Sequence, residues 1–454
     1  MFRLLCGDTE SIRVRPRLTA VLLVLGSLYA ASAAAFEHYT AHGGPVKGLA
    51  LSPDGRWLVS TSFDYTAVLW SVPDFSERRT LVGHEAAVNA AAFSPDGRYL
   101  VTAGDDRTLR VWKMDQLLAN APAPEPKVLT GHTAKVVHLT FSADGQRLAS
   151  SSWDHTLGLW SVPAFENLAF LNGHDGPVNA AQFTKDGLSL YSAGGDGHIR
   201  LWDIRQARYL RSPVENGWGI NVLAIDEDLD LLAYGTANGG MRSVSFSGKG
   251  PSVDYAADGP PVVSLALDPE TELIAFGNSE GRVLIADARV GEIAHDFRAV
   301  KGPVWGMVLM PNRESVVLAG LDDFVTRIPF GDASSPVATG GERRFHTLDE
   351  QDNGARQFAR KCSVCHSLEP DGKRRAGPSL YGIFGRRAGT FSGYPYSAAL
   401  ARTELVWNEA TIDALFKDGP DVVTPGSKMP LQRIPKAKDR HDLIDFLKST
   451  MQQE

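Results

Sequence analysis

Cys362, Cys365 and His366 stand in the order Cys-x-x-Cys-His, and no other stretch of this 454-residue chain concentrates as much chemistry. Two thiols three positions apart can form thioethers to the two vinyl groups of one porphyrin. The histidine that follows then falls on the porphyrin face, where a ring nitrogen can bind iron. The same spacing also suits half of a zinc site or a thiol–disulfide pair. Zinc would need two more ligands, and the remaining cysteine, Cys6, is far away in the chain. A thiol–disulfide pair would need a βαβ setting, whereas this region reads as helical and rich in loops. A haem needs a sixth ligand, and Met429 lies 63 residues past His366 as the only methionine between residues 340 and 450. It sits in Pro425-Gly426-Ser427-Lys428-Met429-Pro430, where two prolines and a glycine would hold its thioether on a rigid loop.

Further stretches occur around this peptide: Gly354-Ala355-Arg356-Gln357-Phe358 before it, and Ala376-Gly377-Pro378-Ser379-Leu380-Tyr381-Gly382 after it. Phe384 to Gly389, Tyr394-Pro395-Tyr396-Ser397 and Val406-Trp407 follow in turn. In order and spacing, residues 341 to 450 resemble the mitochondrial-type (class I) cytochromes c. The resemblance implies an all-α domain with one covalently attached haem c, His366 and Met429 being the iron ligands. It further implies that the Pro378 carbonyl orients His366, and that Arg386, Tyr396 and Trp407 bond or shield a haem propionate. Gly354 and Phe358 would pack the first helix on the last through Leu443 and Leu447. The sequence departs from the family at Phe416, where a tyrosine is usual, and at Leu431, where a phenylalanine usually screens the haem edge. Asp421 and Val422 replace two lysines that usually face the redox partner. These departures bear on potential and partner rather than on iron ligation.

The chain ahead of this domain repeats itself. His42 to Trp70, His84 to Trp112, His132 to Trp160 and His174 to Trp202 each span 28 residues, with Asp64, Asp106, Asp154 and Asp196 six before their tryptophans. Each unit reads strand, turn, strand, Asp, strand, with turns at Pro53-Asp54-Gly55, Pro95-Asp96-Gly97, Asp144-Gly145 and Asp186-Gly187. These units resemble the WD-repeat family, which implies four-stranded blades around a channel. Three weaker copies, 217–246, 260–287 and 302–330, bring the number to seven, and residues 36–41 are expected to complete the last blade and close the ring. Four histidines and four aspartates at fixed spacing suggest a metal at first sight. A buried hydrogen-bond chain of His, Asp, Ser or Thr, and Trp within each blade accounts for them better. The proline-rich stretch 121–126 is expected as a stiff loop between the second and third blades, because His84 to His132 is 48 residues where neighbouring spacings are 42.

The expected organisation is therefore a signal peptide (1–35), an all-β seven-bladed WD-repeat propeller (36–330), a tether (331–341) and an all-α class I cytochrome c domain (342–454). Arginines 3, 13, 15 and 17, the apolar run 18–30 and the small residues 31–35 read as a secretory signal, with an uncleaved membrane anchor as the alternative. Export matches the haem motif and predicts a periplasmic protein. Residues 36–339 carry 24 Lys and Arg against 36 Asp and Glu, which argues against nucleic acid as a partner. The propeller shows no G-x-S-x-G elbow, P-loop or H-E-x-x-H. The sequence thus predicts a carrier of single electrons whose propeller docks a redox partner protein, either a membrane respiratory complex or a periplasmic dehydrogenase. The alternatives are an oxidoreductase whose propeller holds a substrate or second cofactor, and a haem-based gas sensor.

Overall fold

The computed structural model describes residues 36–450 apart from 73, 120–123, 312–314, 330–351, 364, 371–374, 395, 428, 430 and 431. The expected signal peptide and tether lie outside the described residues, as do Lys428 and Leu431. Among the described residues no helix is long and apolar enough to cross a membrane.

Seven four-stranded antiparallel sheets form the first domain. In the first blade the order from the axis outward is Val46–Leu51, Trp57–Ser62, Thr66–Ser71 and Glu77–Val82. The expected Asp-Gly turns join first to second strands: Gly55, Gly97, Gly145 and Gly187 have φ between 66° and 69°, a region glycine enters without steric cost. Ser52 Oγ donates to Asp54 Oδ1 at 2.6 Å and so holds the turn from inside. Neighbouring blades pool their apolar faces. Val101 and Leu109 of the second blade pack with Val136, Leu148 and Trp160 of the third. Glu37–Thr40 is the outer strand of the seventh blade and pairs with Phe324–Pro329, which closes the ring.

Each of the first four blades contains the expected polar chain. In the third, Trp160 Nε1 donates to Ser150 Oγ at 2.9 Å, and Ser150 Oγ lies 2.8 Å from His132 Nε2. His132 Nδ1 lies 2.8 Å from Asp154, whose carboxylate also accepts the Thr133 amide. The indole can only donate, so the hydroxyl proton goes to Nε2 and the ring carries its proton on Nδ1. Later blades satisfy the same turn differently: Asn278 Oδ1 accepts the amides of Glu280 and Arg282.

One expectation is corrected. Lys127–Leu129 is the outer strand of the second blade, so the proline-rich stretch lies inside that blade, between its third and fourth strands. The His-to-Trp unit covers only three strands, and the fourth comes just before the next histidine, so an insertion ahead of His132 falls within blade two. A short helix, Met114–Leu118, precedes it and buries Met114 and Leu117.

The second domain is helical. Its main elements are Asn353–Lys361, Glu409–Asp418 and Ala437–Ser449, with single-turn helices at Ala398–Ala401 and Pro420–Val423. Phe358, Ile412, Leu415, Leu443 and Leu447 share one core.

Candidate haem site

The helix Asn353–Lys361 starts on Asp352, whose carboxylate accepts the Ala355 amide at 3.1 Å. It crosses the helix Ala437–Ser449 at Gly354, where a Cβ would run into the Asp442 carbonyl and Phe446. The rings of Phe358 and Phe446 lie 5.6 Å apart. Asp442 and Phe446 thus meet Gly354 directly, while Leu443 and Leu447 lie in the shared core with Phe358. This crossing fixes the end of the first helix. There the amides of Cys365 and His366 both bond back to the Cys362 carbonyl, at 3.0 and 2.9 Å. Both thiols and the imidazole therefore leave one tight turn.

Cys362 is 3% exposed. Burial pushes its thiol up to about 12 and that of Cys365 to about 11, so both are protonated at neutral pH. A thiol–disulfide pair needs an accessible thiolate, so these thiols are ill suited to that chemistry. Among the described residues no group of three or more His, Cys, Asp or Glu is placed to hold a metal ion.

His366 Nδ1 lies 2.7 Å from the Pro378 carbonyl, an acceptor only, so this nitrogen carries the proton. Burial holds the ring below the usual imidazole range, hence neutral. Gly377 lies against the ring so closely that a Cβ there would collide with it. The other nitrogen, Nε2, has no hydrogen-bond partner among the described residues.

His366, both cysteines and Met429 line one cavity of about 210 Å³, together with Leu380, Ile383, Leu400, Trp407, Leu415 and Phe416. Ahead of Met429 a brace holds the loop: Thr424 Oγ1 donates to the Pro420 carbonyl at 3.0 Å and lies 3.1 Å from Ser427 Oγ. Arg386 and Tyr396 also line the cavity. The Arg386 guanidinium donates to the carbonyls of Tyr381 and Ser379, at 2.7 and 2.8 Å, so it braces the loop below the cavity. Burial, eased by the nearby Tyr396, lowers its pKa. Trp407 exchanges backbone hydrogen bonds with Gly385 and Arg386.

The cavity has a wall that the motifs did not reveal. Phe63, Tyr65, Ala86, Ala87 and Asp105, all from the first two blades, line it as well. Burial raises the Tyr65 hydroxyl pKa, and the neighbouring Tyr394 and Cys365 add to the shift. Tyr65 is hydrogen-bonded to Tyr394, whose hydroxyl in turn donates to the Ala376 carbonyl at 2.5 Å. A signal did exist in the repeats. The residues just before and after the turn aspartate are Phe63 and Tyr65 in blade one, Asp105 and Arg107 in blade two, Trp153 and His155 in blade three, and Gly195 and Gly197 in blade four. The paired aromatics mark the first blade, and Tyr65 accepts a φ of 70° to keep its place in that turn.

These residues fit a covalently held haem. The cavity is apolar, both thiols open into it as protonated groups, and a locked neutral imidazole has one nitrogen free. The comparisons agree. Residues 351–451 match the cytochrome c family model, and residues 36–71, 75–113, 124–161 and 165–203 match the model for the WD domain, G-beta repeat. Cytochrome c of Gibberella zeae is 40% identical over 99 residues, which are 21% of this chain and 91% of that protein. Cytochrome c of Kluyveromyces lactis is 35% identical over 113 residues, 25% of this chain and 94% of that protein. A cytochrome c homolog of Rickettsia felis is 42% identical over 98 residues, 22% of this chain and 55% of that protein. The chain belongs to the cytochrome c family through its C-terminal domain, which follows a seven-bladed propeller of WD repeats and carries one covalently bound haem c with iron.

Proposed function

We propose that this protein is an exported one-electron carrier in which His366 and Met429 would hold the haem iron and the propeller governs which partner reaches the haem. One observation carries the reading: the ring held by Pro378 keeps Nε2 free in a cavity shared with two thiols and a single thioether. The haem supplies reversible one-electron chemistry at its iron. The rest is the work of this chain. Pro378 fixes the tautomer of His366, and Gly377 leaves the ring room to lie flat against the loop. The brace Thr424–Ser427 holds Met429 in place. Apolar walls would disfavour added positive charge on a bound haem and so favour its reduced state. With both His366 and Met429 bound to it, the iron would have no position left for a substrate, which favours electron transfer over haem catalysis or gas sensing.

The propeller contributes Phe63 and Tyr65 to the cavity wall, so a partner must approach past the first two blades or on another side. A respiratory complex or a periplasmic dehydrogenase fits such a carrier, and residues 1–35 would direct it to the periplasm. A spectrum and haem count on protein matured in the periplasm test the core of the reading. One haem per chain, resistant to acid acetone, with the sharp bands of low-spin iron is expected; two haems, or haem lost to solvent, would overturn it. For the wall, Tyr65→Ser should speed electron exchange with a soluble protein partner while leaving the spectrum unchanged, and equal rates would remove the propeller's role at the haem. N-terminal sequencing of the mature protein checks export.

A further inference from the structure

The innermost strands of the seven blades enclose a channel with a cavity of about 390 Å³. Two lysines line it. Lys47 lies in the inner strand of the first blade and Lys135 directly precedes that of the third. Each ammonium sits on an indole: Lys47 Nζ lies 4.5 Å from the Trp305 ring centroid, and Lys135 Nζ lies 3.4 Å from that of Trp153. Such contacts stabilise a cation without neutralising it and leave its N–H groups available. Neither lysine forms an ion pair among the described residues.

Their surroundings make this unusual. Burial, together with repulsion from Lys135, lowers the Lys47 pKa to about 8, against a weaker attraction from Asp105. One Asp105 oxygen is already engaged by the Asn89 amide at 2.8 Å. Acidic residues outnumber basic ones by 36 to 24 over 36–339, so unpaired ammonium groups are not forced by a shortage of carboxylates. His138 adds a neutral donor. Burial lowers its pKa to about 4, and its Nδ1 accepts the Ala181 amide at 3.4 Å, so the proton is on Nε2. Asn89, Asn179 and Asn221 staple inner strands of neighbouring blades through the carbonyls of Val136, Ile220 and Val262, which keeps the wall rigid.

We propose that the propeller channel binds a small oxyanion, phosphate or a short carboxylate, between Lys47 and Lys135. An anion there would relieve the repulsion of the two cations and give both an ion pair in a partly dehydrated space, where such pairs gain strength. The volume admits a small molecule and excludes a folded partner. The site is independent of the haem ligation. It lies close to the haem wall all the same: Phe63 meets Trp305 at 5.6 Å, and Asp105 joins the haem cavity to Asn89.

Calorimetric titration of the full haem-loaded chain with inorganic phosphate, and separately with succinate, tests this at constant ionic strength with chloride as control. Saturable binding of one anion per chain is expected, weakened at least tenfold in Lys47→Met and in Lys135→Met. Phosphate alone would identify a phosphoryl-bearing ligand, succinate alone a carboxylate, and either supports the site. Lys135→Gln serves where Lys47→Met fails to fold, with melting temperature and haem spectrum as the folding checks. Binding no tighter than that of chloride, or binding unaltered in the folded variants, would overturn the proposal.

Discussion

His132 and His366 are the same side chain in opposite circumstances. In the propeller both ring nitrogens of His132 are engaged, Nδ1 by Asp154 and Nε2 by Ser150, and the group ends there. In the helical domain the ring is held from one side only, by the Pro378 carbonyl, and its second nitrogen faces a cavity. A doubly satisfied buried histidine is a structural tie, whereas a half-satisfied one is poised to bind something. Spacing does not tell the two apart, because the propeller histidines recur more regularly than the single Cys-x-x-Cys-His. The hydrogen-bond inventory does.

Substitutions in the two domains and a shift to acid break this contrast, in descending order of effect. Met429→Ala should abolish the weak near-infrared band of the ferric protein and lower the reduction potential, since a thioether favours ferrous iron. The propeller's melting transition should not move. An intact band would place another residue on the iron. Next, Gly354→Ala should force the first and last helices of the haem domain apart, costing about 1–3 kcal/mol as overpacking does. Denaturant titration followed at the haem band would show it, and an unchanged midpoint would mean the crossing tolerates a methyl group.

Asp154→Ala or Asp106→Ala works in the other domain. Each leaves a buried imidazole N–H unpaired, a loss on the order of 1–3 kcal/mol. The propeller should melt earlier while the haem spectrum stays as it was. A changed spectrum would show that the tie reaches the haem. The smallest effect concerns acid. Burial alone would raise the Asp106 carboxyl, but hydrogen bonds from His84, Glu85 and Thr108 hold it well below its usual 3.8. A carboxyl lowered in the folded state contributes stability above the unfolded value and loses it as pH falls further. Propeller stability should therefore decline below about pH 4, with a shallower decline in Asp106→Asn. Parallel pH profiles would contradict the assignment.

Much of the architecture was legible because its signals are local or periodic. The haem peptide is five consecutive residues, and the blade ties recur at fixed spacing. Pro378 lies twelve residues from His366 in a stretch that matches a known family. The wall made by Phe63 and Tyr65 was not legible in that way. It joins parts of the chain some 300 residues apart, and no motif couples a blade turn to Tyr394. The channel lysines were hidden for a related reason: Lys47, Lys135, Trp153 and Trp305 come from three blades and converge only when the ring closes. The place of the proline-rich insertion within the second blade is not legible either, because the fourth strand of each blade carries no sequence marker. The hydrogen bonds of Arg386 to the Tyr381 and Ser379 carbonyls likewise carry no sequence marker, since they depend on how the loop between these residues turns back on itself.

The closing strand has a consequence for assembly. Glu37–Thr40 finds its partner only in Phe324–Pro329, and His38 meets Thr326 across 288 residues of chain. During synthesis the first strand emerges long before its mate, so six blades and most of a seventh can collapse while the ring remains open. Contacts between such distant residues are slow to form. Until they do, the last blade presents an unpaired edge, a template for the wrong strand of another molecule. Proteins trapped at this stage would be one strand short, and a synthetic peptide copying residues 36–41 would be the natural plug for them.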